Sequence, residues 1–393
     1  NIFNNPEDIL ILMTVLAVLL FVGVWGQQPA SIPEFKGDYG SNVSEHERFG
    51  YDVGTEFKAM ITSRLQSDDF VMSTIAPWVE GNSTGQKVYQ AFLDTHKKTF
   101  PLYLAEIEGM AKGAGLSFSH LFIQNLKEEF SYWVPHSAQL RRRPDHCSDY
   151  MMPPYEIHNE DSGGGDLNHT YFVRVTIDNA HFTAYTYAGD LATGAFGWSE
   201  TNRLAFTLNY LFPNDGVVGG LGRVFVSRDL LAAVSFDDML DRIVRDGYAT
   251  GHNYQLMDVA AERIVNVEVA PHKQFSMKEV KHGEAYFHAN QYQTLQGISQ
   301  TFGNSSIHRI ARAAQLPAPR TPDDLRRILG DQQDIDGSDR WPIFHDDLSH
   351  QHGDLSDYTL TTVMFDLRGK EASVFFGNPK NNRVLKKFDL LKW

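Results

Sequence analysis

Cysteine is almost absent from this chain: of 393 residues, only Cys147 carries a thiol. A lone cysteine makes no internal disulfide. None is needed, because a chain of this length buries roughly three quarters of its extended surface. Positive charge is also in short supply. Lys and Arg number 35 against 49 Asp and Glu, a formal net charge of −14. That balance excludes binding to a nucleic-acid backbone, which calls for clustered cations. The single basic run, Arg141-Arg142-Arg143, reads as a solvated loop or as a protease-accessible one. No Gly-rich phosphate loop follows a strand; "GGLG" at Gly219 lacks both the lysine and the spacing. No Gly-x-Ser-x-Gly elbow presents a serine nucleophile. Internal repeats and low-complexity tracts are missing as well.

One long apolar run is present, Ile9 to Trp25, interrupted only by Thr14 and Gly23. Val24 and Gly26 occupy the −3 and −1 positions of a signal-peptidase site before Gln27. Residues 1–26 therefore read as a cleaved signal peptide or a retained signal anchor, with a buried core helix as the plain alternative. Four N-glycosylation sequons, at Asn42, Asn82, Asn168 and Asn304, point the same way. The expectation is a secreted protein or one of the secretory-pathway lumen, touching a membrane only if the apolar run is retained. In such an oxidising compartment Cys147 is a buried apolar residue, an intermolecular link or a reactive thiol. Counting alone leaves all three open.

Residues up to about 130 read as mostly helical. Phe49, Val53, Phe57, Met60, Ile61 and Leu65 recur at three- and four-residue steps, which predicts a helix from Glu45 to Ser67. Further helices are predicted for Gly85 to Lys98, from Pro101 onward, and after Ser117 as N-cap. Beyond Cys147 the texture becomes strand-like: "YFVRVTI" at Tyr171, "FTAYTY" at Phe182, "LAFTLNYL" at Leu204 and "RIVNVEVA" at Arg263. A closing hairpin is predicted around Arg368-Gly369-Lys370. Helical stretches lie between, at Leu221 to Val234, Phe236 to Asp246 and Ile307 to Leu316. Strands neighbour strands more than they alternate with helices, which predicts an α+β class. Thr321 to Asp357 reads as loop. Within it His345, His350 and His352 sit among Asp346, Asp347 and Asp354, but at no helix-borne zinc spacing, so a solvated loop is expected and no metal.

The stretch around Cys147 carries its own geometry. "CSDYMM" and "YEIHNED" flank Met152-Pro153-Pro154-Tyr155, a turn signal. A hairpin there sets Cys147 opposite Glu160 with a two-residue loop, or opposite Asp161 with a three-residue loop; the residues do not choose the register. A surface hairpin with a half-buried cysteine is the plain reading.

Several blocks are more specific. "HERFGYDVGTEFKAMI" (from His46), "YLAEIEGMAKGAGLSFSHLFIQNLKEEF" (from Tyr103), "DHCSDY", "HNEDSGGGDLNHTYFV", "LAFTLNYLFP", "HANQY" (from His288) and "TLTTVMFDLRGKEASVFFGNP" follow one another in order. In this the chain resembles the isopenicillin-N acyltransferase family of N-terminal-nucleophile hydrolases, most closely the animal branch with the insect N-β-alanyl-dopamine hydrolases. The likeness spans nearly all of the chain beyond the leader.

The resemblance implies a four-layer αββα fold with a helical segment ahead of it, and no cofactor. It implies self-cleavage of the His146-Cys147 bond, dividing a pro-segment or light chain, 27–146, from a catalytic heavy chain, 147–393. A thiol is a strong nucleophile, and a freed α-amine can take its proton. Cys147 would then open the amide of a small-molecule substrate through a thioester, ending in hydrolysis or in transfer to an amine; an uncleaved, inactive binding protein is the contrasting outcome. By the family pattern Asn290 donates to the oxyanion, Asn209 supplies a further polar contact or a strand-end support, and Asp161 positions the amine. Arg309 would meet an acidic group of the substrate, or else lie on a helix surface. One departure stands out: relatives carry Gly where this chain has His146, which restricts φ at the cut.

Overall fold

A computed structural model describes residues 31–135, 147–192, 195–301, 303–346 and 357–393 of the chain. The strand-like runs form two sheets. The larger has eight strands in the order β1 (Glu34–Tyr39), β4 (Thr170–Ile177), β5 (Ala180–Tyr187), β6 (Phe196–Ser199), β7 (Leu204–Leu211), β8 (Gly251–Asp258), β9 (Arg263–Ala270) and β10 (Gln274–Val280). Its neighbours are antiparallel except β1 and β4. The smaller runs β11 (Tyr286–His288), β2 (Ser148–Met152), β3 (Tyr155–Gly163), β12 (Asp357–Asp366), β13 (Glu371–Phe375) and β14 (Val384–Asp389). The predicted hairpin is the β12–β13 pair.

Period-two alternation sorts each strand's side chains into separate layers. On β4, Tyr171, Val173 and Val175 face outward and share a core with the helices Val43–Glu56, Ser83–Thr99, Pro101–Ala114 and Arg223–Leu230. Phe172 faces the other way, into a second core with Trp198, Val363 and Phe365 between the sheets. A third core joins Ile157 and Met364 of the smaller sheet to Leu325 and Leu329 of the helix Pro322–Leu329. Helix, sheet, sheet, helix is the expected αββα stack.

Three expectations need correction. The segment before Cys147 is not all helix: it begins with β1, whose partner strand decides a weak local signal. The helix expected from Glu45 to Ser67 is two, Val43–Glu56 and Lys58–Ser67, because Phe57 leaves helical geometry (φ −104°, ψ 21°). Its ring stacks on Tyr171 at 3.9 Å. Within Thr321 to Asp357, read as loop, lies the helix Pro322–Leu329. Thr321 and Asp324 form its capping box and Pro322 its first turn, a start signal present in the sequence. Among the described residues no helix is long and apolar enough to cross a membrane; the run from Ile9 to Trp25 lies outside them.

The helices Val43–Glu56 and Pro101–Ala114 approach backbone to backbone. A Cβ on Gly50 would sit 1.9 Å from the Glu106 carbonyl oxygen, and one on Gly109 at 1.9 Å from that of Glu47. The contact also buries charge: the Glu106 carboxylate takes His46 at 2.6 Å and two bonds from Arg228 at 2.7 and 3.0 Å. Much of "HERFGYDVG" is thus a docking face. Gly50→Ala should lower stability by about 1–3 kcal/mol through overpacking, read as a lower urea midpoint at unchanged slope.

Candidate active site

Between Met152 and Tyr155 the β2–β3 turn has two residues, so Ser148 pairs with Asn159 and Cys147 falls opposite Glu160. Alternation then separates the neighbours of the nucleophile. Asp149, Glu156, His158 and Glu160 point between the sheets with Cys147, while Ser148, Asn159 and Asp161 point toward the outer helices.

On the inner face the cysteine is buried, not half-buried. Its thiol donates to Glu160 Oε2 at 3.2 Å. Tyr187 donates to the other oxygen of Glu160. His158 bridges Glu160 Oε2 at 3.0 Å and Asp149 Oδ1 at 2.9 Å. Thr207, from the larger sheet, donates to Asp149 at 2.6 Å. Burial opposes charge on His158, but the Asp149 carboxylate outweighs it and raises the imidazole well above its ordinary pKa. Burial and the Asp149 charge raise Glu156 in turn, so it keeps its proton. Burial, with Glu160 alongside, holds the Cys147 thiol far above its ordinary value. The thiol is therefore held in its neutral form. Cys147, His158 and Glu160 place three possible ligand atoms within 4.8 Å of one another. Both imidazole nitrogens are already bonded, so the set is a hydrogen-bonded chain before it is a metal site.

On the outer face, Arg309 organises the rest. It is fully buried, and its guanidinium donates to the Cys147 carbonyl at 2.7 Å, Ser148 Oγ at 2.8 Å and Asn290 Oδ1 at 2.8 Å. Ser305 and Ser306 receive its other bonds, at 3.0 and 3.2 Å. This corrects the expectation of a helix-surface Arg309; among the described residues its donors meet protein oxygens. Asn290 donates to the Tyr210 carbonyl at 3.1 Å, so Arg309 links it directly to the cysteine. Asp161 accepts from Thr359 at 2.6 Å and lies 3.8 Å from His345. Burial pushes its carboxyl up to about 6, against the pull of His345 and Arg309.

The structure thus brings Cys147, Asp161, Asn290 and Arg309 together. Asn209 lies on β7 between Leu208 and Tyr210, which line a cleft with Cys147. Its amide meets Asn253 and His288, both at 3.3 Å, in the layer between the sheets. His288 in turn lies 2.9 Å from Glu268, which accepts from the backbone of Gln293, Thr294 and Leu295 and so shapes the "HANQY" turn. His345 is buried, not solvated, because its backbone pairs with Thr359. His146, Arg141 to Arg143, His350, His352, Asp347 and Asp354 lie outside the described residues. All four sequon asparagines are exposed, although Ser306 of the Asn304 sequon is buried under Arg309. Glu160 opposite Cys147 was one of the two registers read from the sequence; its inner-face companions Asp149 and His158 were missed. Counting by twos from Cys147 through a two-residue turn would have found them.

A narrow cleft of ≈ 40 Å³ opens beside Cys147, Glu160 and Tyr187. The segment before Cys147 builds part of its wall through Arg64, Gln124 and Lys127. Arg64 is itself pinned by Asp166 at 2.6 Å and Asp190 at 2.9 Å.

Asp161 yields a pH prediction. Its carboxyl rises from 3.8 to about 6 on folding, so the folded chain holds the extra proton between those values. Its contribution to stability is complete below about pH 4 and is lost as pH rises through 6. Asp161→Asn should remove that slope. Relative to the variant, wild type should lose about 2–3 kcal/mol between pH 4 and pH 7, measured as the difference in urea unfolding free energy at each pH.

A curated relative, the beta-alanyl-dopamine/carcinine hydrolase of Drosophila melanogaster, is 26% identical over 362 residues, covering 85% of this chain and 91% of its own. A solved structure, of a Caenorhabditis elegans N-acylethanolamine-hydrolyzing acid amidase ortholog, covers 62% of this chain and 99% of its own at 11% identity and a TM-score of 0.36. A superposition that loose adds nothing to the assignment. Residues 150–381 match the acyl-coenzyme A:6-aminopenicillanic acid acyl-transferase family. That match covers more than half of the chain, which therefore belongs to this family and is an enzyme of amide-linked acyl groups.

Proposed function

We propose that the protein is a thiol amidohydrolase of small N-acyl or N-aminoacyl amines, β-alanyl amines among them, working through a thioester on Cys147. The observation that carries this reading is a buried thiol at a cleft, with its own carbonyl and Asn290 held by one guanidinium. Cys147 becomes the N-terminal residue by self-cleavage at His146-Cys147, giving a light chain, 27–146, and a heavy chain, 147–393. The freed amine then takes the thiol proton, with the Asp161 carboxylate close by to orient it. The thiolate adds to the substrate carbonyl, the amine leaves, and water releases the acid. Asn290 donates to the oxyanion. The name of the fly relative supports the β-alanyl substrate. The family description supports a second outcome, transfer of the acyl group to an amine instead of water. The apolar leader and the four exposed sequon asparagines support passage through the secretory route.

Purified protein should contain a fragment whose sequence begins Cys-Ser-Asp-Tyr, and Cys147→Ala should remain one chain. Persistence of the cut in Cys147→Ala would assign it to an outside protease. On N-β-alanyl amines, release of β-alanine and amine in equal amounts indicates hydrolysis, whereas a new amide formed with an added amine indicates transfer. Asn290→Ala should lower kcat about a hundred- to a thousandfold with KM little changed. An unchanged kcat would remove Asn290 from the oxyanion site.

A further inference from the structure

Self-cleavage, on which this inference rests, poses a chemical problem that turnover does not. Before the cut the α-nitrogen of Cys147 is an amide. It has no basic lone pair, so it cannot take the thiol proton. Another group must, and burial keeps that thiol protonated until one does.

We infer that Glu160 is the proton acceptor for Cys147 in the cut, a catalytic group of maturation distinct from the amine that serves turnover. Glu160 Oε2 lies 3.2 Å from Sγ; the Asp161 backbone carbonyl lies at 3.8 Å, and the His158 ring is also within reach of the sulfur. The two-residue turn places Glu160, and not Asp161, on the thiol's face of the sheet. The carboxylate is held at both oxygens, by Tyr187 and by His158. His158 is not a competing acceptor. Its two nitrogens face the Asp149 and Glu160 carboxylates, so in the protonated form both N–H groups donate. Its part is to fix Glu160, and the part of Asp149 is to fix His158.

The step balances as follows. Sγ–H passes its proton to Glu160 while Sγ bonds to the peptide carbonyl carbon that precedes Cys147. Glu160 then returns that proton to the Cys147 nitrogen as the C–N bond breaks. A thioester and a free α-amine result. Water hydrolyses the thioester, giving a carboxylate and restoring the thiol. One carboxyl acts first as base and then as acid.

The test follows the cut in full-length chain synthesised in a cell-free reaction, by mass over time, for wild type, Cys147→Ala, Glu160→Gln and Glu160→Asp. Circular dichroism and thermal midpoint report folding. Expected is a wild type that divides, a Cys147→Ala that does not, and a folded Glu160→Gln at least about a hundredfold slower. Glu160→Asp, which keeps the carboxylate one methylene short, should fall between wild type and Gln. Hydroxylamine, which traps a thioester, should speed chain division in wild type and not in Glu160→Gln. A folded Glu160→Gln dividing within about threefold of wild type overturns the assignment and leaves self-cleavage standing. If Glu160→Gln loses its fold, Glu160→Asp decides: a rate equal to wild type overturns the assignment. A wild type that stays whole, or a Cys147→Ala that divides as fast, removes self-cleavage itself and this inference with it.

Discussion

One imidazole, His158, holds two carboxylates in the dry layer between the sheets, and the geometry at Cys147 follows from it. Asp149 and Glu160 are both buried and would repel each other unshielded. Set between them, on the strand of Glu160 and directly opposite Asp149, a protonated His158 makes that burial tolerable. Thr207 reaches across from the other sheet to Asp149, so the arrangement also ties the two sheets together. The thiol is one more member of this chain of bonds. Its position is thereby set by charge satisfaction, while the apolar packing of Trp198 and Phe365 fills the rest of the layer.

Arg309 does the corresponding work on the opposite face. A guanidinium is planar and always charged, and here its bonds include those to the Cys147 and Asn290 carbonyl oxygens and three serine hydroxyls. It fixes the main chain of Cys147 and the amide of Asn290 with one rigid fork. The two sides of the smaller sheet divide the contacts: the inner side holds the thiol, the outer side holds the backbone that carries it.

Much of the fold was legible because its strands are long and strongly patterned; Leu204–Leu211 and Arg263–Ala270 begin where the sequence says they should. β1 was illegible because its neighbour β4, not its own residues, makes it a strand. The helix at Pro322 was legible in principle, but its capping signal was outweighed by the polar run around it. At the site, Cys147, Asp161 and Asn290 came from motif resemblance. The burial of Arg309 and His345 could not be read, because it depends on contacts with residues far away in sequence. Glu160 was one of two register choices that only the turn could settle.

β3 lies between β2 and β12, and those partners are far apart along the chain. Asp161 bonds to Thr359, 198 positions later, and Glu160 stands beside Thr361. During synthesis the β2–β3 hairpin can form early, but its second edge stays open until β12 has emerged. Until then Asp161 lacks Thr359 and the edge of β3 is unpaired. The strand that carries Glu160 and Asp161 is in this way completed by a residue 198 positions further along the chain.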